Sequence, residues 1–538
     1  MNKIKNYISK NLISFIFKIL ISLLFAEATF LDNRLSFEPD IFALMEKIYF
    51  YPINVKSGAI AIVAFIAIFT FISLLELFQH RFTIRYVLNA RTANKKDYLM
   101  LLLTFILLIC AWLPYILSYF PGGIYPDTIQ CFSQATNNVY NNQQPILYTL
   151  IIKLCIIICG ETNAMSLFTI LQIVFIAGCL SFIIFRLNLH SINKCILIIL
   201  FIYFAFFTLV PLYVVSLWKD SVFSVALLMY IFLLTERIIL PKSKPSSLDV
   251  SAVLVFMVLS IFLRNNGLYV IIVTTIIIGI ILFKSSFVTY KSFIASNAIV
   301  LILCFIIQGP LFNLLKINGP FVENLGVLQQ QMSYTMINNG DINYDDYAFM
   351  CSIMPFDDIG NRDYYRPFNV DSTKWSPLYD SDFLEEHKTE FIKIWFKTLL
   401  KNPRLFANSY LYSTLGYWDP FKQLPVSYTN HEAWDENKDD MRFKQNDYIY
   451  SITGASIRDS LQPNSYISSA AFLFITLAIF VLSLNKKDKS WLAFIPALIT
   501  YLTVFIATPL AFALRYVYIL VLTLPILIIY AFCKLDEK

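Results

Sequence analysis

The chain is 538 residues long, and 58% of them are hydrophobic while only 14% are charged, with a net charge of +6. A soluble domain usually carries about 25% charged residues, so this composition excludes a conventional soluble enzyme and a disordered chain. Nine cysteines are too sparse for a disulfide scaffold. Many apolar runs approach the roughly 20 residues that a helix needs to cross a bilayer. We therefore expect an α-helical polytopic membrane protein.

Twelve apolar segments are predicted to be transmembrane helices. They are 11–29, 57–78, 99–120, 165–186, 193–213, 221–240, 249–263, 267–284, 291–309, 467–485, 490–508 and 513–533. The run 145–160 is short for a span and carries Lys153 in its middle. Counting it would put basic loops on opposite sides, so we expect a helix that lies at the outer membrane surface or dips into it.

The basic residues determine the predicted orientation, because Lys and Arg concentrate in cytoplasmic loops. With the N-terminus inside, the inner loops hold 20 basic residues, and the outer loops apart from 310–466 hold six. Residues 310–466 contain 21 acidic and 14 basic residues, a net charge of −7. We therefore predict that both termini are cytoplasmic and that this segment is extracytoplasmic. No motif indicates nucleic acid, and we expect no nucleic-acid partner.

The chain divides into four predicted regions. Residues 1–98 form the cytoplasmic N-terminal end and two spans, and 99–309 form a membrane module with an outer loop at 121–164. Residues 310–466 form a soluble extracytoplasmic domain, mixed or mainly helical, and 467–538 form three further spans with a cytoplasmic tail. Within the soluble domain, Phe391, Ile394, Trp395 and Leu399 recur at helical spacing. They predict an amphipathic helix over 383–402, which Asn402-Pro403 ends.

Asp127 is the first candidate for chemistry. It follows the span 99–120, just after a tight turn made by Gly122, Gly123 and Pro126. A carboxylate held at a membrane surface can act as a general base or bind a cation. The alternative is a helix N-cap, since Asp is favoured there and the next residues look helical. The two interpretations are compatible.

Three further polar groups are predicted on the same side of the membrane. Lys219-Asp220 is either part of a site or a local ion pair with Asp220 as a helix cap. Arg264, with Asn265 and Asn266, lies between two short spans. Ionisable groups near membrane depth are costly and often functional. The alternative is an arginine that reaches the interface, with asparagines in a turn.

Arg515-Tyr516 lies inside the predicted outer end of the last span. An arginine there needs a partner, and a lipid phosphate matches the guanidinium bidentately. Snorkelling, or pairing with another span, is the alternative.

An aromatic group in the outer domain can stack on sugars, but buried core is the commoner role. Its members are Trp375, Trp395, Tyr417, Trp418 and Trp434.

The sequence contains no CxxC or Cys/His metal spacing, no HExxH, no GxSxG and no P-loop. We therefore predict no metal ligands and no chemistry driven by cytosolic ATP.

The order and sidedness of these motifs resemble the membrane-embedded GT-C superfamily of glycosyltransferases, which includes protein mannosyltransferases and the aminoarabinose transferases of lipid A. Asp127 occupies the carboxylate position of that superfamily. Residues 128–139 match its first juxtamembrane helix, and Gln144-Pro145 opens the second. The motifs KDS at 219–221, RNNG at 264–267, KNP at 401–403 and GYWDP at 416–420 look like a bacterial branch, and Arg515-Tyr516 resembles the Arg-Tyr pair near the last span of several members.

The resemblance covers roughly residues 99–533, with three departures. Gln143-Gln144 stands where a His or Lys is common before the proline, and two spans precede the usual module. Asp127 is not followed by a second acidic residue, which puts metal dependence in doubt, so no cofactor is predicted and Mg²⁺ or Mn²⁺ stays open.

The resemblance implies transfer of a sugar from a polyprenyl-phosphate donor at the outer face of a bacterial cell membrane. The acceptor would be a hydroxyl of a cell-envelope glycan, a glycolipid or a protein. Asp127 would act as base. Arg515, and with it Arg264, would bind the phosphate. Lys219 and Asp220 would shape the pocket, with Tyr516, Asn265, Asn266, Gln144 and Trp418 as further substrate-binding residues.

Other functions remain open. Twelve spans also suit a transporter or lipid flippase, but such proteins usually show internal repeats and interrupted helices near mid-membrane. A polysaccharide polymerase or ligase uses similar donors but transfers whole oligosaccharides. A non-catalytic scaffold with an outer recognition domain is the third alternative.

The predicted topology can be tested by cysteine labelling. A cysteine introduced into the loop 237–250 should react with a membrane-impermeant maleimide only after the membrane is opened, because this loop is predicted to face the cytoplasm. Labelling of that cysteine in intact cells would contradict the orientation.

Overall fold

The computed structural model describes residues 12–37, 48–241, 244–317, 319–355, 364–374, 376–423, 461, 467–486, 488–507 and 510–536. The helices up to residue 306 are α1 (Leu12–Asp32), α2 (Val55–Arg81), α3 (Lys95–Tyr119), α4 (Pro126–Asn137), α5 (Ile146–Leu189), α6 (Lys194–Phe206), α7 (Leu209–Val215), α8 (Lys219–Leu234), α9 (Ser247–Phe262) and α10 (Gly267–Ile306). The later helices are α11 (Phe312–Leu314), α12 (Gly326–Ile337), α13 (Tyr344–Ile353), α14 (Asp371–Lys374), α15 (Ser381–Glu386), α16 (Lys388–Lys401), α17 (Pro403–Ser413), α18 (Leu415–Trp418), α19 (Ser469–Leu484), α20 (Ile495–Ala507) and α21 (Tyr518–Phe532).

Short elements connect or extend these helices. There are π-helical turns at Thr235–Ile239 and Ile307–Leu311, and 3₁₀ turns at Phe321–Asn324, Ser490–Phe494 and Leu514–Val517. Strand β1 (Leu35–Ser36) pairs antiparallel with β2 (Tyr49–Phe50). Strand β3 (Ile84–Val87) pairs in parallel with β4 (Cys533–Asp536), with Ile84 opposite Cys533. This second pair fastens the end of the described chain beside the end of α2.

The apolar helices confirm a helical multi-pass membrane protein. Nine helical segments in the described ranges are long and apolar enough to cross a bilayer. Two of them, Gly267–Ser285 and Val288–Leu314, begin within α10. Helices α6 and α7, which meet at a bend of 52°, would together make a tenth. Two shorter apolar helices, α9 and α19, accompany them. Every predicted span overlaps one of these helices.

The run 145–160 is helical, but it is joined to the span that follows. Helix α5 continues from Ile146 to Leu189 across a break at Gly160, where φ is +76°. Glycine adopts this left-handed backbone at little cost, so the break lies where the sequence allows it. The first part of α5 packs beside α4, and that packing brings Gln144 close to Asp127.

Helix α8 lies at the centre of the bundle. Its side chains from Asp220 to Leu234 are all buried, and α5, α9 and α21 pack around it. A helix that is apolar on every side is stable only when other helices surround it. Its charged residues therefore lie at its two ends, where they need partners from the surrounding helices.

A second hydrophobic cluster is built from residues 325–418 and includes Ala28 and Leu35 near the N-terminus. The predicted helix 383–402 lies here, but His387 divides it into α15 and α16. Phe391 and Ile394 are buried as the periodicity predicts, and α16 ends before Asn402.

An ion pair that the sequence pattern does not predict is buried between α1 and α2. Lys18 Nζ lies 2.7 Å from Glu76 Oε2, and both side chains are about 5% exposed. Lys18 also donates to Ser73 Oγ at 3.2 Å, and Asn485 Nδ2 donates to Glu76 Oε1 at 3.0 Å. The pair therefore holds α1 and α2 together and reaches the end of α19.

Breaking this ion pair should destabilise the protein strongly. Lys18→Met leaves an unpaired carboxylate in an apolar bundle, a change that typically costs about 3–5 kcal/mol. The double variant Lys18→Met/Glu76→Gln should recover most of that loss. Thermal unfolding of the purified protein measures both, with Lys56→Met, on the exposed start of α2, as the control. Equal losses in the single and double variants would show that an unpaired Glu76 carboxylate is not the cause of the destabilisation.

Candidate functional site

The turn between α3 and α4 docks against the residues that precede α8. Gly123 donates its N–H to Val215 O and accepts from Leu217 N, both at 2.9 Å. Gly122 has a φ of +130°, and a Cβ there would lie 2.6 Å from Thr169 Oγ1. Only glycine fits this backbone and this close approach. The turn thereby fixes the start of α4 beside the start of α8.

Two side chains reinforce this docking from different helices. Thr128 Oγ1 donates to Leu217 O at 2.5 Å, and Tyr148 Oη donates to the same carbonyl at 2.7 Å. The peptide before Lys219 is therefore held by both α4 and α5. Buried backbone carbonyls need such partners, and here they position the ends of three helices around one point.

Asp127 lies at that point and contacts three side chains. Lys219 Nζ is 3.2 Å from Asp127 Oδ2, and Arg515 Nη1 is 3.4 Å from the same oxygen. Gln144 Nε2 donates to Asp127 Oδ1 at 3.2 Å, while its Oε1 accepts from Lys219. We call Asp127, Gln144, Lys219 and Arg515 the carboxylate cluster.

The N-cap interpretation of Asp127 is wrong. The cap residue of α4 is Tyr125, with Pro126 in the first turn, and no side chain caps this helix. Asp127 is the second helical residue, and its carboxylate is directed to residues from other segments. A carboxylate in a first turn still interacts favourably with the helix dipole.

An aromatic stack supports Arg515. Its guanidinium carbon lies 3.5 Å from the centre of the Trp218 ring, and Trp218 stacks on Tyr125 with ring centres 4.0 Å apart. Arg515 Nη2 also donates to Tyr516 Oη at 3.1 Å. Stacking and cation–π attraction hold the guanidinium in one plane. Arg515 itself belongs to the 3₁₀ turn Leu514–Val517, just before α21.

Lys219 and Asp220 do not form the local ion pair that their adjacency suggests. Lys219 pairs with Asp127, whereas Asp220 pairs with Arg264, whose Nη1 lies 2.8 Å from Asp220 Oδ1. Trp218 is the N-cap residue of α8, so Asp220 is not the cap either. Arg264 also donates to Tyr516 O at 2.8 Å. This arginine is therefore enclosed by protein, and the snorkelling interpretation is wrong.

The remaining predicted residues have structural contacts. Asn265 Nδ2 donates to Asn142 O at 2.8 Å, and Asn266 Nδ2 donates to Thr503 Oγ1 at 3.1 Å. Trp418 packs in the second hydrophobic cluster and donates its indole N–H to Leu411 O at 2.8 Å. The structure places Asn265 near the loop that leads to Gln144, and it shows Trp418 as core.

Of the other aromatic candidates, two have structural contacts and two are not described. Trp395 donates to Gln331 Oε1 at 3.0 Å in the second cluster, and Tyr417 donates to Ala513 O at 3.0 Å. Trp375 and Trp434 lie outside the described residues.

The GYWDP motif contributes a buried acid. Asp419 is fully buried, 3.4 Å from Lys422, which also pairs with Asp32 at the end of α1. Burial raises the pKa of Asp419 to about 7 against the lowering influence of Lys422, with Asp32 adding to the rise. The motif thus connects α1 to the second cluster.

Charge balance separates the two charged groups at the start of α8. The side chains of Asp127, Lys219 and Arg515 are 27%, 16% and 15% exposed, while those of Arg264 and Asp220 are 11% and 0% exposed. Two cations and one anion leave the carboxylate cluster with one surplus positive charge. The Asp220–Arg264 pair has none, because its two charges cancel. The first group is therefore better suited than the second to an anionic ligand.

Opposing effects determine the protonation of Asp127. Burial raises the pKa of this carboxyl, but Lys219 and Arg515 lower it, with hydrogen bonds from Lys219 and Gln144, and the net result is a lowered pKa. Asp127 is therefore an ionised acceptor at neutral pH. No group of three or more His, Cys, Asp or Glu residues in the described ranges is arranged to hold a metal ion.

Three residues of the site were not predicted. Tyr125 and Trp218 are sequence neighbours of Asp127 and Lys219, and Gln130 accepts from Gln144 Nε2 at 2.8 Å. Each lies within three residues of a predicted one. Aromatic and amide residues are common near membrane interfaces, so their types alone carried no signal.

The chain belongs to DUF6020, a family of unknown function, which it matches over residues 117–538. The matched region begins at the end of α3 and contains all four residues of the carboxylate cluster. No curated protein matches the chain. No solved structure matches it either.

The lowered pKa of Asp127 predicts a pH-dependent contribution to stability. A carboxyl whose pKa is lower in the folded state stabilises the fold above its unfolded pKa of about 3.9, and this contribution disappears as the pH falls through the folded value. The free energy of unfolding of wild type should therefore exceed that of Asp127→Asn by about 1 kcal/mol at neutral pH.

Thermal unfolding of both proteins across a pH series measures this difference. It should shrink in acid, and Lys219→Gln should reduce it at neutral pH because one of the two cations is gone. A difference that does not change with pH would show that Asp127 is not held ionised by its neighbours.

Proposed function

We propose that this chain is a membrane glycosyltransferase of the GT-C kind, which transfers a sugar from a polyprenyl-phosphate donor to an acceptor hydroxyl. The observation that carries the proposal is the carboxylate cluster. Residues from four separate parts of the chain meet to place one accessible carboxylate between two accessible cations. This is the arrangement that proton removal beside a departing phosphate requires.

In the proposed reaction, Asp127 accepts the proton of the acceptor hydroxyl. The acceptor oxygen forms a bond to the anomeric carbon of the sugar, and the bond from that carbon to the phosphate oxygen breaks. The electron pair leaves with the polyprenyl phosphate. Arg515 and Lys219 stabilise its charge, and the stack on Trp218 fixes the guanidinium for bidentate contact. Arg264 takes no part, because Asp220 neutralises it.

The lowered pKa of Asp127 fits this sequence of events. Without donor, Lys219 and Arg515 hold the carboxylate ionised and keep its basicity low. A donor phosphate that engages both cations draws them from Asp127, so its pKa rises towards the ordinary value. The base becomes competent when the donor is in place. Members of the superfamily often have a cationic His or Lys where this chain has Gln143-Gln144. Here Lys219, which donates to Gln144, supplies the cation instead.

The proposal includes the predicted topology: twelve crossings, both termini in the cytoplasm and residues 310–466 outside a bacterial cell membrane. The partners would be the lipid-linked donor and a cell-envelope glycan, glycolipid or protein acceptor. No metal is assigned. A polymerase or ligase would use the same cluster, and the mass added to the product, one sugar or a whole oligosaccharide, separates the two.

Lipid analysis tests the proposal. Cells lacking the protein should accumulate a glycosylated polyprenyl phosphate that mass spectrometry detects. Wild type should clear it and Asp127→Asn should not, with a loss of at least about a hundredfold in transfer as expected for a missing general base.

The matched control is Asp345→Asn. Asp345 is also the second residue of a helix, but it is exposed and distant from the cluster in sequence. This variant should clear the lipid as wild type does. An unchanged lipid pool in all strains would contradict the donor class and favour transport. An active Asp127→Asn would remove Asp127 as the base.

A further inference from the structure

A charged cavity lies at the end of α8 opposite the carboxylate cluster. Eighteen residues separate Lys219 from Arg237, which corresponds to about 27 Å along a helix. The cavity has a volume of about 500 Å³, within the range of small-molecule sites. It is formed by residues 88–93, the end of α5, the π-helical turn 235–239 and, after that turn, residues 241, 244, 245 and 249. Three of these segments belong to loops predicted to face the cytoplasm.

The lining of this cavity has a surplus of positive charge. Four basic residues and two acidic ones line it. They are Arg91, Arg186, Arg237, Lys244, Glu236 and Asp249. Asp97, just outside the lining, pairs with Arg91, so the four basic residues face three carboxylates and one positive charge is left over. A concave site with this sign of charge attracts anions.

The arginines are held in position by carboxylates. Arg237 Nη1 lies 2.7 Å from Asp249 Oδ1, and Arg91 forms two hydrogen bonds to Asp97, at 2.5 and 2.6 Å. Arg186 pairs with Glu236. Lys244 forms no salt bridge within the described ranges and is available to a ligand. Guanidinium groups held this way lose little freedom when a ligand binds.

Glu236 is the buried centre of this arrangement. It is 3% exposed, and its Oε1 also contacts His190 Nε2 at 2.9 Å. The other ring nitrogen of His190 contacts Val87 O at 2.7 Å, so strand β3 supports the ring. Glu236 Oε2 accepts no hydrogen bond in the part of the chain that the structure describes.

The local backbone is unusual at the same place. Residues Thr235–Ile239 form a π-helical turn at the end of an otherwise regular helix. Such turns occur frequently at functional sites because the wider turn redirects consecutive side chains. Here both Glu236 and Arg237 line the cavity.

We propose that this cavity binds a phosphate group, either on a soluble molecule or on the headgroup of a lipid. The supporting observations are its volume, its net charge, the oriented arginines and the unpaired Lys244. Phosphate matches guanidinium bidentately and ammonium as a point charge. The site is separate from the carboxylate cluster, and it does not depend on the proposed transfer reaction.

Thermal unfolding of the full chain in phosphatidylcholine nanodiscs tests this site. Pyrophosphate is the soluble probe, with potassium chloride at equal ionic strength as its control. Nanodiscs containing phosphatidylglycerol are the lipid probe. We expect one of the two to raise the unfolding temperature, since a ligand that binds the native state stabilises it. A rise with pyrophosphate identifies a soluble phosphate, and a rise with phosphatidylglycerol alone identifies a headgroup.

Variants assign the rise to the cavity. Lys244→Gln should raise the half-saturating concentration of pyrophosphate by about tenfold, or reduce the lipid-dependent rise in unfolding temperature correspondingly. This substitution breaks no ion pair that the structure describes. Arg237→Gln should weaken binding in the same way. Lys194→Gln removes an exposed charge from a loop predicted on the same side, outside the cavity, and should respond as wild type. No rise with either probe, or an equal loss in Lys194→Gln, would overturn the proposal.

Discussion

Helix α8 must satisfy charged residues at both ends while its whole length is buried. Burial of an unpaired charge costs several kcal/mol, so each charge requires a partner fixed in place. At its start these partners come from α4 and from the segment before α10. At its other end they come from α5 and α9. The surrounding helices are therefore positioned by electrostatics as well as by packing.

This constraint explains why adjacent residues have different roles. Consecutive helical side chains point about 100° apart, so Lys219 and Asp220 cannot face the same neighbour. Asp220 is directed into the bundle, where Arg264 neutralises it. Lys219 is directed to Asp127 and stays partly exposed. One turn of helix thus supplies both a structural ion pair and a residue of the accessible cluster.

The sequence predicts the spans well because long apolar runs have few alternatives in water or in a bilayer. Asp127, Gln144, Lys219 and Arg515, which the structure brings together, are among the larger set of site residues that their order and predicted sidedness indicate. The sequence does not predict partners. Lys18 and Glu76 each sit alone in an apolar run, and only the packing of α1 on α2 shows that they meet. The break of the helix at His387 is likewise a matter of tertiary contacts.

Trp418 and Arg264 show why residue type and short motifs are weak guides to role. Both lie in motifs of the resemblance, and both are held by contacts that leave little for a substrate: an indole N–H bonded to a backbone carbonyl and a guanidinium neutralised by a buried acid. Arg515 has the same chemistry as Arg264, yet its acidic partner Asp127 is more than a quarter exposed and shared with Lys219. A shared, accessible carboxylate leaves one positive charge uncompensated. That surplus, rather than the presence of an arginine, is what makes the carboxylate cluster suited to an anionic substrate.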